Sequence, residues 1–343
     1  MDQERKIKIG ILSIEPHAPS WVSLLQRQPD VEVVSVWDYD EGDAQKFAST
    51  YNISSVASKP EDMLGQVNAV AIAGGRPAPK KGEAWGEAPD DHLRLARPFL
   101  SEGLPVLIDK PLADTVEDAV EIVRLARSNG APLISASSIR YAPEVDTLQE
   151  LANDGSLGKL IGITCVLGTG VSTLKWYAIH MIDALSYIFG PGMESVFALG
   201  GGGPLKIWNR EFPHAHGLVI RWRDGRLATM LLLRDMADAA TNNPLPERPM
   251  KLLEPTPTEV PPYIANHIRI VVYGMNDCSE GVLKGKGSYT HQLEAFLEMV
   301  RTGEEPIPAE QMVETIQAIN AAARSVETGR VETMVPAEEL LRS

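Results

Sequence analysis

The chain has 343 residues, and 32 Lys and Arg against 46 Asp and Glu give a formal net charge of −14 at pH 7. The length predicts roughly two domains. A hydrophobic content of 44% with 23% charged residues is typical of folded proteins and excludes a disordered chain. The acidic balance argues against nucleic-acid binding, because phosphates require a concentrated basic face. It also argues against adhesion to anionic lipid.

Three further sequence features bear on location and chemistry. No apolar run reaches about 18 residues, so we expect no membrane-spanning helix. The charged N-terminus carries no signal-peptide pattern, which predicts a cytoplasmic protein. The two cysteines, Cys165 and Cys278, cannot build a disulfide framework or a four-ligand zinc site, and we expect two free thiols and no metal.

The first 135 residues alternate strands and helices in their pattern of apolar residues. Strands are predicted at residues 6–12, 31–37, 67–73, 104–108 and 132–135, and helices at 21–28, 44–51, 92–102 and 115–128. This alternation is typical of βαβ units with a mainly parallel sheet. The sequence therefore predicts a Rossmann-type, doubly wound dinucleotide-binding domain over residues 1–135.

Residues 136–343 read differently, because several strand patterns follow one another without intervening helices. Helices are predicted at 143–153 and 178–189, and strands at 160–167, 196–199, 217–222, 227–233 and 268–273, with two helices closing the chain. Consecutive strands favour an α+β domain with a mainly antiparallel open sheet. We expect it to bind substrate and form oligomer contacts. Residues 78–91 and 241–262 are predicted loops, either solvated surface or a lid or arm.

The first βα turn lacks the glycines that usually approach a dinucleotide phosphate. The three glycine positions fall on Ser13, Glu15 and Ala18. Asp38, however, follows the second strand, 20 positions after Ala18, where a carboxylate binds the adenosine ribose. Asp38 is either a surface residue or a ribose ligand, and as a ligand it favours NAD over NADP.

Two further segments carry groups suited to proton transfer. A buried strand ends in Asp109-Lys110-Pro111, at the sheet edge where ligands bind. Partial dehydration there lowers the pKa of a lysine, and the proline peptide is a candidate for the cis form. The second segment is a helix on which His180 and Asp183 share one face, an arrangement that is either structural or proton-shuttling.

Together these segments resemble the Gfo/Idh/MocA family, the glucose-fructose oxidoreductase and inositol dehydrogenase group. The resemblance runs along almost the whole chain. It is carried by VWDYDEGDAQKFASTYNI, VNAVAIAGG, LPVLIDKPLADTVEDAVEIVRLARSNG, IRYAPEV, HMIDALSYIFG and the C-terminal YTHQLEAFLEMVRTG. Asp109 stands where that family has Glu, and Trp176 stands where it often has an Asp four residues before the histidine.

The resemblance implies hydride transfer between NAD(P) and a hydroxyl carbon of a sugar, cyclitol or related compound. It implies catalytic roles for Lys110 and His180, with His180 as acid/base and Lys110 as hydrogen-bond donor and proton relay. The expected cofactor-binding residues are Ser13, Ile14, Asp38, Ala73, Asp109 and Lys110. The expected substrate-binding residues are Lys110, Arg140, Trp176, Tyr177, His180 and Asp183. A homodimer or homotetramer is expected.

Three interpretations of the function remain open from the sequence. The chain is either a redox enzyme or a degenerate member that binds a sugar-like ligand or partner without cofactor. A third reading is a glycoside-cleaving enzyme that holds NAD tightly and regenerates it in each cycle.

Overall fold

The computed structural model describes residues 6–14, 17–77, 90–169, 174–207, 210–234, 268–283 and 287–342. The predicted loop 241–262 and all but the last two residues of the predicted loop 78–91 lie outside these ranges. The described chain divides into two compact units. Of the described residues, the first unit contains those up to Ala136 together with Tyr289–Ala309, and the second contains those between Ser137 and Ser288 and those from Glu310 onwards. None of the described helices is long and apolar enough to cross a membrane.

The first unit is built on a parallel six-stranded sheet with the order β3-β2-β1-β4-β5-β6. Its strands are β1 (Ile7–Leu12), β2 (Val31–Trp37), β3 (Ser55–Val56), β4 (Ala69–Ile72), β5 (Val106–Ile108) and β6 (Leu133–Ser135). The strands β4, β5 and β6 are buried throughout, as expected for parallel strands covered on both faces. This order and direction confirm the predicted doubly wound Rossmann sheet.

Four helices connect these strands: α1 (Ala18–Leu25), α2 (Glu41–Tyr51), α3 (His92–Ser101) and α4 (Val116–Asn129). Right-handed crossovers place α1 and α2 on one face of the sheet and α3 and α4 on the other. Helix α1 begins three residues earlier than the predicted 21–28 and ends at Leu25. The difference arises at Pro19, which is compatible with the first turn of a helix because no intrahelical N–H bond is needed there.

A segment far along the chain also belongs to the first unit. Helix α7 (Ser288–Thr302) lies almost entirely within Tyr289–Ala309, which clusters with the Rossmann sheet. Gln292 Nε2 donates to Ala136 O at 2.8 Å, and Glu305 accepts from the Leu133 N–H at 3.1 Å. The division into domains at residues 1–135 and 136–343 stays a prediction, as do the cofactor-binding role of the first and the substrate-binding role of the second. In the structure, Tyr289–Ala309 belongs to the first unit, although it lies within the second predicted domain.

The second unit contains a seven-stranded sheet with the order β12-β11-β7-β10-β9-β8-β13. Its strands are β7 (Leu160–Thr169), β8 (Met193–Ile207), β9 (Arg210–Trp222), β10 (Leu227–Arg234), β11 (Ile268–Gly274), β12 (Cys278–Val282) and β13 (Glu332–Thr333). All neighbouring pairs are antiparallel except β7 with β10. The predicted mainly antiparallel sheet is therefore confirmed, with one parallel pair at its centre.

The helices of the second unit are α5 (Pro143–Asn153), α6 (Ile179–Phe189), α8 (Ala309–Thr328) and the short α9 (Ala337–Arg342). A 3₁₀ turn (Ser138–Tyr141) precedes α5, and a π-helical turn (Leu174–Ala178) leads into α6. One set of alternating sheet residues is buried, whereas the other set leaves large apolar side chains in solvent, among them Leu199, Val219, Leu227, Leu231 and Tyr273. The sheet thus has one covered face and one open apolar face.

Candidate functional site

The residue directly after β1 adopts a backbone conformation that a dinucleotide-binding turn usually reserves for glycine. Ser13 has φ +56°, in the left-handed region that the first glycine of such turns supplies. The Ser13 N–H donates to Trp37 O at 2.9 Å, and the Ile14 N–H donates to Asp38 Oδ1 at 3.0 Å. Asp38 is partly buried, and this burial raises the pKa of its carboxyl. Its carboxylate therefore ties the end of β2 to the turn.

Asp109 is paired with His17, which was not among the residues predicted from the sequence. His17, the residue before α1, places its Nδ1 2.9 Å from Asp109 Oδ2, and its ring lies 5.6 Å from that of Tyr289. Burial opposes the ionisation of Asp109, but His17, with smaller contributions from Lys110 and His92, holds its pKa below the usual value. An ionised carboxylate only accepts hydrogen bonds, so the proton of this pair lies on His17 Nδ1.

Lys110 follows β5 and Asp109, and the Lys110-Pro111 peptide is cis. The side chain is partly buried, and burial lowers the pKa of its ammonium group, although the neighbouring Asp109 opposes this shift. Among the described residues, no hydrogen-bond acceptor contacts the Lys110 amine. A lysine with a lowered pKa and no internal acceptor is suited to bind or exchange a proton with a ligand.

A buried polar cluster lies beside β4 and α3. The Arg76 guanidinium pairs with Asp114 and lies 4.0 Å from Asp90, whose carboxylate is 3.1 Å from His92 Nδ1. Burial raises the pKa of Asp90, while His92 and Arg76 oppose the shift. Gly75 allows this arrangement, because a Cβ there would lie 2.5 Å from Asp90 Oδ1. The cluster fixes the start of α3.

In the second unit, Ser137 joins the predicted histidine and aspartate. His180 lies in the first turn of α6, and its Nδ1 is 2.6 Å from Ser137 Oγ. The Ser137 N–H donates to Asp183 Oδ2 at 2.7 Å, and Ser137 Oγ accepts from the Ile139 N–H at 3.1 Å. Ser137 is fully buried. The histidine is therefore oriented by a residue that the sequence interpretation missed.

Arg140 and Asp183 form a buried ion pair in the second unit. Arg140 Nη1 donates to Asp183 Oδ1 at 2.9 Å, and Nη2 donates to Gln311 Oε1 at the same distance. The guanidinium also lies 4.6 Å from the centre of the Tyr187 ring. Burial raises the pKa of Asp183, and Arg140 opposes this shift. These contacts position the start of α6, and direct binding of substrate by either residue stays a prediction.

The three remaining predicted residues lie in two places, the end of β4 and the turn before α6. Ala73 is buried directly after β4, where its N–H donates to Leu12 O at 2.9 Å. Trp176 and Tyr177 belong to the π-helical turn before α6, and the Tyr177 ring lies 5.8 Å from the His180 ring. The side chain of Trp176 lies outside the described part of the structure. Their cofactor and substrate contacts remain predictions.

The structure thus forms two clusters of predicted residues. One contains the turn at Ser13 with Asp38, and the pair of Asp109 and Lys110, at the carboxyl ends of parallel strands in the first unit. The other contains His180, Asp183 and Arg140 around Ser137 in the second unit. Within the described ranges, no group of three or more His, Cys, Asp or Glu side chains is placed to hold a metal ion.

The features of the first cluster fit a dinucleotide. Ser13 adopts the left-handed conformation that allows a tight turn directly after β1. The Asp38 carboxylate has lone pairs beyond those that accept from Ile14 and Asp40, so it can also accept from ribose hydroxyls. When bound, a nicotinamide dinucleotide supplies the acceptor or donor of a hydride.

Comparisons of the sequence with protein families and with individual proteins both find similarity to oxidoreductases. The family described as "Oxidoreductase family, NAD-binding Rossmann fold", or Gfo/Idh/MocA, matches residues 9–137. The D-glucoside 3-dehydrogenase of Escherichia coli is 31% identical over 186 residues, covering 49% of this chain and 50% of the relative. An inositol 2-dehydrogenase of Mycolicibacterium smegmatis is 25% identical over 203 residues, or 56% of each chain. The chain spans about half the length of the first curated relatives it matches.

A solved structure shows the same fold along nearly the whole chain. The myo-inositol dehydrogenase of Lactobacillus casei, solved in complex with NAD(H) and myo-inositol, superimposes with a TM-score of 0.76. The match covers 96% of this chain and 97% of that one at 14% sequence identity. At this identity the likeness establishes the fold of both units.

Proposed function

Because the chain belongs, through its N-terminal unit, to the Gfo/Idh/MocA family of oxidoreductases, we propose that it is an NAD(P)-dependent oxidoreductase. It transfers a hydride to or from a hydroxyl carbon of a sugar, cyclitol or related polyol. The observation that carries this proposal is the Lys110 amine, which combines a lowered pKa with the absence of an acceptor among the described residues at the end of β5.

We assign the cofactor to the carboxyl ends of β1, β2, β4 and β5. Ser13 and Ile14 present their backbone to the dinucleotide, Asp38 accepts from the ribose hydroxyls, and Ala73 leaves room beside β4. Asp109 holds His17 and favours the charged form of Lys110. A carboxylate at position 38 repels a 2′-phosphate, so the proposed cofactor is NAD rather than NADP.

Side chains of the protein accept and return the hydroxyl proton in the proposed reaction. When a hydroxyl carbon loses its hydride, the hydroxyl proton must leave to a base, and the reverse reaction returns it. Lys110 and His180 are assigned to this task, and Arg140, Trp176, Tyr177 and Asp183 to the surroundings of the substrate. Inositols and glucosides are the first substrates to test, because the relatives named above act on them.

The first experiment separates binding from turnover. NAD and NADP are titrated against the protein while thermal stability is followed, because a ligand of the native state raises the melting temperature. Turnover with myo-inositol and methyl glucosides is measured as NADH formation. Lys110→Met should lower kcat/KM at least about 100-fold, as expected for loss of an acid/base group. The exposed Lys59→Met serves as the control. Equal activity of the two variants would contradict the proposal.

A second candidate function is a member that binds a polyol without redox turnover. It is favoured by Ser13, Glu15 and Ala18 at the three glycine positions. It predicts thermal stabilisation by polyols and none by millimolar NAD. Cleavage of a glycoside without net NADH formation would instead indicate the hydrolytic alternative.

We also propose that the open face of the seven-stranded sheet joins subunits into a homodimer or homotetramer. Leu199 is 56% exposed and Leu231 is 47% exposed on this face, where contiguous apolar surface is typical of an interface. Leu231→Lys should dissociate the oligomer in light scattering, whereas Val335→Lys, outside the sheet, should not. A monomeric parent protein would refute this assignment. The cytoplasmic location stays a prediction.

A further inference from the structure

Asp109 and Lys110 are neighbours of opposite charge that form no hydrogen bond with each other. The Asp109 N–H donates to Ile72 O at 2.9 Å, which fixes the backbone directly after β5. The Asp109 carboxylate is buried, and its Oδ2 lies 2.9 Å from His17 Nδ1. A buried charge usually pairs with an opposite charge, and Lys110 is the cation nearest along the chain. The hydrogen-bond partner of the carboxylate is nevertheless His17, and Lys110 has no acceptor among the described residues.

His17 is held against Asp109 by two helices of the first unit. Its carbonyl oxygen accepts from the Trp21 N–H at 3.1 Å, in the first turn of α1. Its ring lies 6.3 Å from the Trp21 ring and 5.6 Å from the ring of Tyr289, near the beginning of α7. The imidazole is therefore placed by ring contacts and by its backbone as well as by the hydrogen bond to Asp109.

We propose that His17 is a positioning residue for Lys110: by occupying the Asp109 carboxylate, it prevents this carboxylate from capturing the amine and leaves the amine to a ligand. Asp109 is the only charged side chain that acts on Lys110 among the described residues. Asp109 itself is influenced by His17, by Lys110 and, more weakly, by His92 at the beginning of α3. His17 therefore acts on the amine through a single carboxylate.

The consequence of this inference for catalysis rests on the proposed function. In the oxidation direction, the neutral Lys110 amine takes the hydroxyl proton while the carbinol carbon loses its hydride to the nicotinamide. Without His17, the Asp109 carboxylate would pair with the ammonium form of Lys110 and raise the pKa of that group. An ammonium group cannot accept the hydroxyl proton. His17 thus extends to lower pH the range in which Lys110 acts as a base.

The titration of Lys110 is measured by NMR without requiring turnover. Protein that contains lysine labelled with ¹³C at Cε is titrated, and the Lys110 signal is assigned by its absence from Lys110→Met. His17→Phe removes the donor and should raise the pKa of Lys110, whereas His17→Asn can still donate to Asp109 and should restore it towards wild type. The exposed Lys59 is the internal control and should titrate equally in all proteins. An unchanged or lowered pKa of Lys110 in His17→Phe would overturn the proposal.

A double variant tests whether His17 acts through Asp109. Asp109→Asn removes the charge that favours the ammonium form and should lower the pKa of Lys110. Adding His17→Phe to Asp109→Asn should then change this pKa no further, because the carboxylate that joins the two residues is gone. A further change would show that His17 acts by another route. The double variant buries no unpaired carboxylate, so this comparison remains decisive if His17→Phe alone does not fold.

Kinetics test the consequence for catalysis separately. In His17→Phe the acidic limb of the kcat/KM profile for polyol oxidation should move to higher pH, with a loss of roughly 10-fold at pH 7 that diminishes as the pH rises. The same loss at every pH would indicate a purely structural role and contradict the proposal. If the wild type has no nicotinamide-dependent turnover, the proposed function fails, and the NMR titration still decides the role of His17.

Discussion

Glu314 on α8 should make the stability of the second unit depend on pH. Its side chain is buried and accepts from the N–H groups of Gly192 and Met193 at 2.9 Å, with Arg223 3.9 Å away. Burial raises its pKa from 4.5 to about 7, although these donors and Arg223 oppose the shift. The folded state therefore binds a proton that the unfolded state has released between these two values. The contribution of Glu314 to the free energy of unfolding is therefore greatest below pH 4.5 and is lost as the pH rises through about 7.

A difference between pKa values of 4.5 and about 7 corresponds to roughly 3 kcal/mol of unfolding free energy, at about 1.4 kcal/mol for each tenfold change. Urea unfolding of the wild type and of Glu314→Gln is measured from pH 5 to 8. Glutamine keeps an acceptor oxygen but cannot ionise, so the variant should gain stability relative to wild type as the pH rises. The difference between the two proteins removes the contribution of all other titrating groups. A difference that stays constant over this range would refute the reasoning.

Three further changes have expected effects on stability. Arg140→Met leaves the Asp183 carboxylate buried without its cation and should cost about 3–5 kcal/mol in urea unfolding; a loss below about 1 kcal/mol would contradict this. Gly75→Ala places a Cβ 2.5 Å from Asp90 Oδ1 and should lower the free energy of unfolding by about 1–3 kcal/mol, measured by thermal unfolding. An unchanged melting temperature would show that the side chains of the cluster can move to accommodate the Cβ at little cost. Ser13→Gly removes a side chain from a left-handed residue and should stabilise by up to about 1 kcal/mol, so a lower melting temperature would argue against strain at this turn.

Much of the first unit could be predicted from local sequence. The residues of β4 and β5 are wholly apolar, and only a sheet covered on both faces buries such strands. The ends of β2 and β5 also located Asp38 and Lys110, because ligand-binding groups of these sheets follow the strands directly. The fold of the second unit was predictable in class, since successive strands separated by turns favour antiparallel pairing.

The interactions that orient the site were not predictable in the same way. His17 contacts a carboxylate 92 residues later, and Ser137 contacts a histidine 43 residues later. Neither pair has a spacing rule, because the contacts arise from the crossing of elements rather than from helix or strand periodicity. The sequence offered only the residue types as a signal, since a histidine directly before a helix and a serine two residues after a buried strand are both able to hydrogen-bond.

The placement of α7 has a consequence for protein synthesis. Phe296 and the Gln292 bond to Ala136 belong to the Rossmann unit, although the ribosome adds them long after β6. At about 5–20 residues per second, the 173 residues from Ala136 to Ala309 require roughly 10 to 35 s of further translation. During that interval the nascent N-terminal part lacks its final helix and exposes the apolar surface that the helix later covers. We therefore expect a fragment ending at residue 136 to aggregate or bind chaperones, although it contains every strand of its sheet.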